Sequence, residues 1–111
     1  MLFRSRDWAV FLQRYPVLLM PNSWQRQFAI DADLGPPAQV DALVRAQSPL
    51  LGTAMMGLPG LSVPTGVVNG LPVGVQLVSS RFREDLLLRT GEMIEHAAGY
   101  SVLDRLDALR V

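Results

Sequence analysis

The sequence predicts an α/β fold in which a central β-hairpin and one further strand are flanked by helices. Residues 62–78 contain two uncharged apolar runs separated by a turn signal, and residues 16–21 form a short apolar run between two prolines. These two patterns predict the strands. Helical periodicity in residues 4–14 and 83–98 predicts the flanking helices. The chain is short enough to form a single domain, residues 1–111.

The composition is unusually apolar for a chain of this size. Half of the 111 residues are apolar and only 18% are charged. A chain of about 100 residues buries roughly 60% of its unfolded surface, so much of this apolar surface has no cover within the chain. We therefore expect burial against another polypeptide, either a missing portion of the same protein or a second copy.

The charge and the apolar runs exclude several classes of partner. Ten arginines balance ten acidic residues, and lysine and cysteine are absent. A neutral chain has no net field to attract nucleic acid or an anionic membrane. No apolar run reaches the roughly 18 residues that span a bilayer, and charges interrupt the N-terminal segment, unlike a signal peptide. We expect a cytoplasmic protein without a cofactor, a disulfide or a metal site.

The N-terminal segment predicts a helix followed by a buried strand. Apolar residues recur at helical spacing in residues 4–14, and Pro16 ends this helix. The apolar run 16–21 predicts a strand buried on both faces. Residues 22–38 show no period, so they form either a functional loop or a segment that lies on a neighbouring surface.

A further helical region precedes the hairpin. Residues 39–47 are weakly helical. Ser48 followed by Pro49 predicts a helix start with the Ser48 hydroxyl as N-cap, and Gly57 suits the position just after the helix. Because neither this helix nor the strands after it carry a charge, we expect the helix to be buried all round.

The Asn69-Gly70 pair predicts a two-residue hairpin turn, because both residues accept a positive φ. In the register that this turn sets, Pro64 faces Val75. Pro64 then occupies a hydrogen-bonded position without an N–H group. We therefore expect the hairpin to open or bulge at Pro64.

The predicted hairpin is apolar on both faces, so both faces need cover. The final long helix, over residues 83–98 and ended by Gly99, can cover one face. The tail, residues 101–111, predicts one or two amphipathic turns. Residues 73–78 combine strand propensity with a lack of charge, and we expect them to form an exposed sheet edge that favours association.

Several short motifs resemble the C-terminal part of amidase-signature hydrolases. They are GLPG at 57–60, SVP at 62–64 and GLPVGVQL at 70–77, supported by PVLLMP at 16–21. The family usually has Thr directly after the motif that matches PVLLMP, where the present sequence has Asn22. The resemblance implies an α/β/α fold around a large mixed sheet, and it implies that the chain is the C-terminal portion of a longer enzyme.

The chemistry that the resemblance implies is carboxamide hydrolysis by a serine nucleophile, a second serine and a lysine base. A serine hydroxyl needs such a base within hydrogen-bond reach, and arginine does not release its proton at working pH. The sequence has neither a lysine nor the Gly-Ser-rich motif that carries the family's serines. We therefore assign no catalytic residue and expect the chain alone to be inactive.

Two other groups of residues invite a catalytic interpretation. Ser79-Ser80 lies between a strand and a helix without following glycines, so helix capping is the simpler interpretation. His96 and Glu92 are spaced one helical turn apart, either as the orienting half of a triad or as an exposed pair. One histidine, no cysteine and scattered acids do not form a metal-ligand set.

Five residues remain as candidates for a substrate wall: Asn22, Trp24, Gly66, Gly74 and Gln76. Asn22 and Trp24 belong to the aperiodic segment, which is either a pocket mouth or an ordinary surface loop. The glycines and Gln76 either border a pocket or allow tight helix–sheet packing, with Gln76 bonded to backbone groups. An alternative function is a non-catalytic assembly module that forms a homo-oligomer through its exposed sheet.

Overall fold

The computed structural model describes the backbone of residues 2–109 and the side chains of residues 5–106. The mixture of helices with a small sheet confirms the predicted α/β class. The ends of the predicted single domain, including the last two residues of the predicted tail, lie outside the described residues. The elements are α1 (Leu2–Arg14), β1 (Leu18–Pro21), a short 3₁₀ helix (Ala32–Leu34), α2 (Pro37–Ala46), α3 (Ser48–Met55), β2 (Gly60–Val68), β3 (Leu71–Val78), α4 (Glu84–Ala98) and α5 (Val102–Leu109).

The three strands form one antiparallel sheet in the order β1-β3-β2. Strand β1 pairs with Val75–Val78, and β2 pairs along the other side of β3. The expectation that residues 73–78 form an exposed edge is therefore wrong for Val75–Val78, because β1 covers it. Strands β1 and β2 form the two edges of the described sheet instead.

The hairpin follows the predicted turn and contains the predicted irregularity. Both turn residues have a positive φ, 53° and 78°. The predicted register holds for the first three pairs from the turn. Beyond them Thr65 is an extra residue, so that Pro64 faces Gly74 and not Val75. A bulge of this kind places two residues of one strand opposite one residue of the other.

Helix α4 covers one face of the sheet, as the sequence predicts. The core on this face consists of Val63, Leu77 and Leu87. The helix approaches β2 closely at Gly91, where an added Cβ would lie 2.7 Å from Leu61 Cδ2. The helix ends at the predicted glycine, which has a left-handed conformation with a φ of 63°.

Helix α3 is buried on one side only, so the expectation of burial all round is wrong. Thr53 and Pro49 are buried, but Leu51 is 44% exposed and Met55 is 68% exposed. The helix begins at Ser48 itself, without a capping side-chain hydrogen bond, and Pro49 takes the second position. The apolar composition of α3 predicts more cover than the described residues provide.

Strand β1 also differs from its predicted environment. Leu19 is 58% exposed, so β1 is not buried on both faces. The reason is that α4 packs mainly on β2, at the opposite edge of the sheet. None of the helices within residues 2–109 is long and apolar enough to cross a membrane.

Candidate functional site

An open cleft lies between the segment that follows β1 and the start of β3. Its volume is about 390 Å³. Three of the five predicted wall residues border it, namely Asn22, Trp24 and Gly74. The remaining lining residues are Pro21, Ser23, Gln25, Arg26, Gln27, Phe28, Pro72 and Val73.

Trp24 presents an anchored aromatic surface in this cleft. Its side chain is 67% exposed, yet its indole Nε1 donates a hydrogen bond to Ser48 Oγ at 2.9 Å. Its backbone N–H donates to the Ala46 carbonyl at 2.8 Å, and Ser23 Oγ donates to the same carbonyl at 3.1 Å. These bonds fix the segment to the junction of α2 and α3. The Ser48 hydroxyl predicted as a helix cap therefore serves as an acceptor for Trp24.

A second bond, from Gln27, ties the same segment to β3. The Gln27 side-chain amide donates a hydrogen bond to the Pro72 carbonyl. This carbonyl lies on β3 before the part of the strand that pairs with β1, so the bond satisfies a backbone acceptor beyond the end of the β1 ladder. The first part of the aperiodic segment, residues 23–27, is thus tied to the fold at two places.

A hydrogen bond spans the sheet beside the cleft. Ser62 Oγ on β2 donates to Asn22 Oδ1, just after β1, at 2.8 Å. Strand β3 runs between these two residues, and its Gly74 offers no side chain there. A Cβ at Gly74 would lie 2.6 Å from the Val63 carbonyl oxygen. The close backbone approach expected at a strand glycine therefore occurs at Gly74.

Gln76 lies inside the fold, not in the cleft. It is only 3% exposed, and its Nε2 donates to Thr53 Oγ1 at 3.1 Å. The expected bond to backbone groups is therefore replaced by a bond to a side chain of α3. The Gln76 Oε1 atom is buried and has no hydrogen-bond partner among the described residues. Such an unsatisfied acceptor costs about 1–3 kcal/mol.

Gly66, the fifth predicted wall residue, lies away from the cleft. It follows the bulged Thr65, and its φ of +156° is one that residues with a side chain rarely adopt. An added Cβ there would have no atom within 4 Å. The structure therefore gives Gly66 a role in shaping the bulge and no close contact to another segment.

The Ser79-Ser80 pair and His96, which also invited a catalytic interpretation, belong to the scaffold and to the helix surface. Ser79 Oγ donates to the Pro16 carbonyl at 2.7 Å, which ties the end of α1 to the sheet. Helix α4 has Arg83 as its N-cap without a side-chain capping bond, so the predicted serine cap is wrong. His96 and Glu92 are both exposed on α4.

A charged pair at the start of α4 shows the clearest electrostatic effect. Arg83 Nε donates to Asp85 Oδ1 at 3.1 Å. This bond, together with one from the Leu86 backbone N–H, holds the pKa of the Asp85 carboxyl below its ordinary value. Both groups are exposed, so the pair belongs to the helix surface and not to a reaction centre.

The cleft lacks an acid–base pair among its lining residues. The lining contains amides, one guanidinium, a hydroxyl and apolar side chains, with no carboxylate or imidazole. The Ser23 hydroxyl in it donates to a backbone carbonyl, and no base stands beside it in the lining. Among residues 5–106, whose side chains are described, no group of three or more His, Cys, Asp or Glu could hold a metal ion.

Sequence reasoning missed the supporting roles of three residues outside the cleft lining: Ser48 bonds to Trp24, Ser62 to Asn22 and Thr53 to Gln76. Ser62 was visible as part of the SVP motif, and its row across the sheet follows from the pairing with Gln76 once the bulge at Thr65 is known. The other two act through contacts between distant segments, which carry no local sequence signal.

The fold and the cleft define an α/β polypeptide with an open cleft whose lining residues include no acid–base pair. A scan of protein families matches residues 3–88 to the model described as Amidase. The chain therefore belongs to the amidase family, as the motifs in the sequence predict.

Curated relatives give the same family. The chain is 35% identical over 101 residues to an indoleacetamide hydrolase of Bradyrhizobium diazoefficiens, covering 85% of this chain and 18% of the relative. It is 34% identical over 95 residues to a glutamyl-tRNA(Gln) amidotransferase subunit from Desulforudis audaxviator, covering 86% of this chain and 19% of the relative. The chain spans about a fifth of the length of these relatives.

Proposed function

We propose that this chain is the C-terminal portion of a carbon–nitrogen hydrolase that acts on carboxamides and that the chain alone is inactive. The observation that carries the proposal is the family match over residues 3–88 in a chain about a fifth as long as its relatives. The indoleacetamide hydrolases among the relatives favour a carboxamide substrate. The lack of lysine supports inactivity, because the serine chemistry that the family resemblance implies uses a lysine base.

The proposed role of the chain is to complete a larger sheet and to supply part of the substrate wall. Asn22, Trp24 and Gly74 border the cleft and are the wall residues that we propose to face substrate. Gln76 lies inside the fold, where it joins β3 to α3 through its bond to Thr53. Gly66 adjoins the bulge at Thr65 within the hairpin.

Complementation tests this proposal. The indoleacetamide hydrolase of Bradyrhizobium diazoefficiens is truncated to remove the segment that this chain matches, and it is co-expressed with the chain. We expect ammonia release from indoleacetamide only when both polypeptides are present, with each polypeptide alone as a control. Hydrolysis by the purified chain alone would overturn the proposal of inactivity.

The alternative proposal is a non-catalytic assembly module that buries its apolar surface in a homo-oligomer. The exposed Leu51 and Met55 on α3 favour it, because monomeric proteins rarely leave such groups of apolar side chains uncovered. Light scattering separates the two proposals. Dimers that form with concentration and unfold cooperatively favour the assembly module. For either function the cytoplasmic location stays a prediction.

A further inference from the structure

We infer that Ser62 is a positioning residue that holds Asn22 so that the Asn22 Nδ2 group donates to a carbonyl oxygen of a ligand in the cleft. The ligand class is a carboxamide that carries a flat apolar group, which packs on Trp24. The identity of the ligand as a carboxamide rests on the proposed function, whereas the positioning of Asn22 rests on the geometry of the described residues.

The first step of the inference is the placement of the two side chains. Met20, Gln76 and Ser62 form one row across β1, β3 and β2. Asn22 lies two residues after Met20, and the Ser62 hydroxyl reaches it at 2.8 Å. Strands on either side of a third strand are about 9.6 Å apart, so two short side chains meet only where the strand between them leaves room.

Gly74 provides this room. It borders the cleft between Asn22 and β2, and the backbone of β2 approaches so closely that a Cβ at Gly74 would lie 3.3 Å from Pro64 Cα and 2.6 Å from Val63 O. A side chain at this position would therefore disturb the strand that carries Ser62. The bulge at Thr65 brings Pro64 opposite Gly74, and so the bulge, the glycine and the hydrogen bond form one arrangement.

The second step is the state of the Asn22 amide. Its Oδ1 atom accepts the hydrogen bond from Ser62, and its Nδ2 group has no hydrogen-bond partner among the described residues. An asparagine amide has two N–H donors on this nitrogen. Asn22 is half-buried and lines the cleft. The amide is thus held by its acceptor end, and its donor end is available to a ligand.

The third step is the aromatic surface beside it. The Trp24 indole N–H is already used by Ser48, so the exposed ring offers an apolar face more than a hydrogen-bond donor. Pro21, Phe28 and Val73 add further apolar surface to the same cleft. A ligand with a carbonyl group and a flat apolar group satisfies both surfaces.

Binding of a small probe tests the inference without any hydrolysis. Phenylacetamide is titrated into the ¹⁵N-labelled chain, and the signals of the Asn22 side-chain amide and the Trp24 indole are followed. We expect both signals to shift with one dissociation constant, and acetamide to bind at least about tenfold more weakly because it lacks the ring. Titration that leaves the Asn22 amide unchanged overturns the inference.

Single substitutions test the roles of Asn22 and Ser62 separately. Asn22→Asp keeps an acceptor for Ser62 but removes the N–H donors, so we expect about fivefold to tenfold weaker binding of phenylacetamide. Ser62→Ala removes the hydroxyl that holds Asn22 and should weaken phenylacetamide binding about twofold to fivefold. Ser62→Thr keeps a hydroxyl and should bind phenylacetamide as well as the unsubstituted chain does. Thr90→Ala removes a hydroxyl that makes one hydrogen bond within α4, outside the cleft lining, and serves as the matched control.

A measurement on the unsubstituted chain keeps the inference testable if the Ser62 variants fail to fold. The order parameter of the Asn22 side-chain amide should approach the value of about 0.85 found for rigid groups, while that of the exposed Gln25 amide stays below about 0.6. Equal, low order parameters for both amides overturn the positioning role. Because these readouts need no catalysis, failed complementation with intact probe binding refutes the hydrolase proposal alone.

Discussion

The substitution Gly74→Ala tests the close approach between β3 and β2. The added Cβ would lie 2.6 Å from Val63 O and 3.2 Å from the Val63 carbonyl carbon. Real Cβ atoms essentially never come closer than 3.0 Å to another heavy atom, and both of these neighbours are backbone atoms in a paired strand, so β2 must shift. Overpacking of this kind costs about 1–3 kcal/mol, and the reduced entropy of the unfolded chain returns about 0.4–1 kcal/mol.

The net loss in the free energy of unfolding is therefore about 1–2 kcal/mol. For a chain of about 100 residues this lowers Tm by roughly 4–10 °C. Thermal unfolding followed by circular dichroism measures the shift. The matched control is Gly52→Ala in α3, where an added Cβ has no atom within 4 Å and where alanine favours the helix by about 0.5–1 kcal/mol. The two substitutions should move Tm in opposite directions, and a Gly74→Ala chain as stable as the wild type would falsify the reasoning.

Two further predictions concern polar side chains. Gln76→Leu removes a buried acceptor that has no partner among the described residues, together with one bond to Thr53, so the chain should be as stable as before or more stable by up to about 2 kcal/mol in urea unfolding. Thr53→Val alone should lower the stability by about 1–3 kcal/mol. A large loss of stability in Gln76→Leu would show that Oε1 has a partner. The depressed pKa of Asp85 contributes stability above its ordinary value of 3.8 that is lost as the pH falls through the lower folded-state pKa. Arg83→Gln should raise this pKa toward 3.8 in an NMR titration of the carboxyl group, and an unchanged midpoint would contradict the assigned cause.

The hairpin shows how far local sequence rules reach. The Asn69-Gly70 turn and the pairing next to it were predictable, because positive φ and strand alternation are local properties. The defect at Pro64 was predictable too, but its form was not. Thr65 takes the extra position, which a missing N–H group at Pro64 does not by itself determine.

The environment of α3 and the position of β3 were beyond sequence reasoning for a different reason. An uncharged helix indicates that its surface needs cover, but it does not say whether the same chain provides it. The described residues do not provide this cover, and Leu51 and Met55 remain exposed. Likewise, residues 73–78 looked like an edge because nothing in the sequence links them to Leu18–Pro21, far away along the chain.

The candidate site was predicted in part for the same physical reasons. The aperiodic segment and the strand glycine marked Asn22, Trp24 and Gly74, which line one cleft. The bonds that hold this cleft, from Ser62 to Asn22 and from Trp24 to Ser48, join segments at least 24 positions apart. Such contacts depend on the folded topology, which no local pattern in the sequence encodes.

The strand order has a consequence for how the chain emerges during translation. Strand β1 is made first, but its only pairing strand in the described sheet is β3, with Leu18 opposite Val78 some 60 positions later. The nascent chain must therefore carry β1 without its pairing to β3 until β3 has been synthesised. Ribosome-bound chains that stop before β3 should leave the amides of β1 open to rapid hydrogen exchange, and those that extend past α4 should protect them.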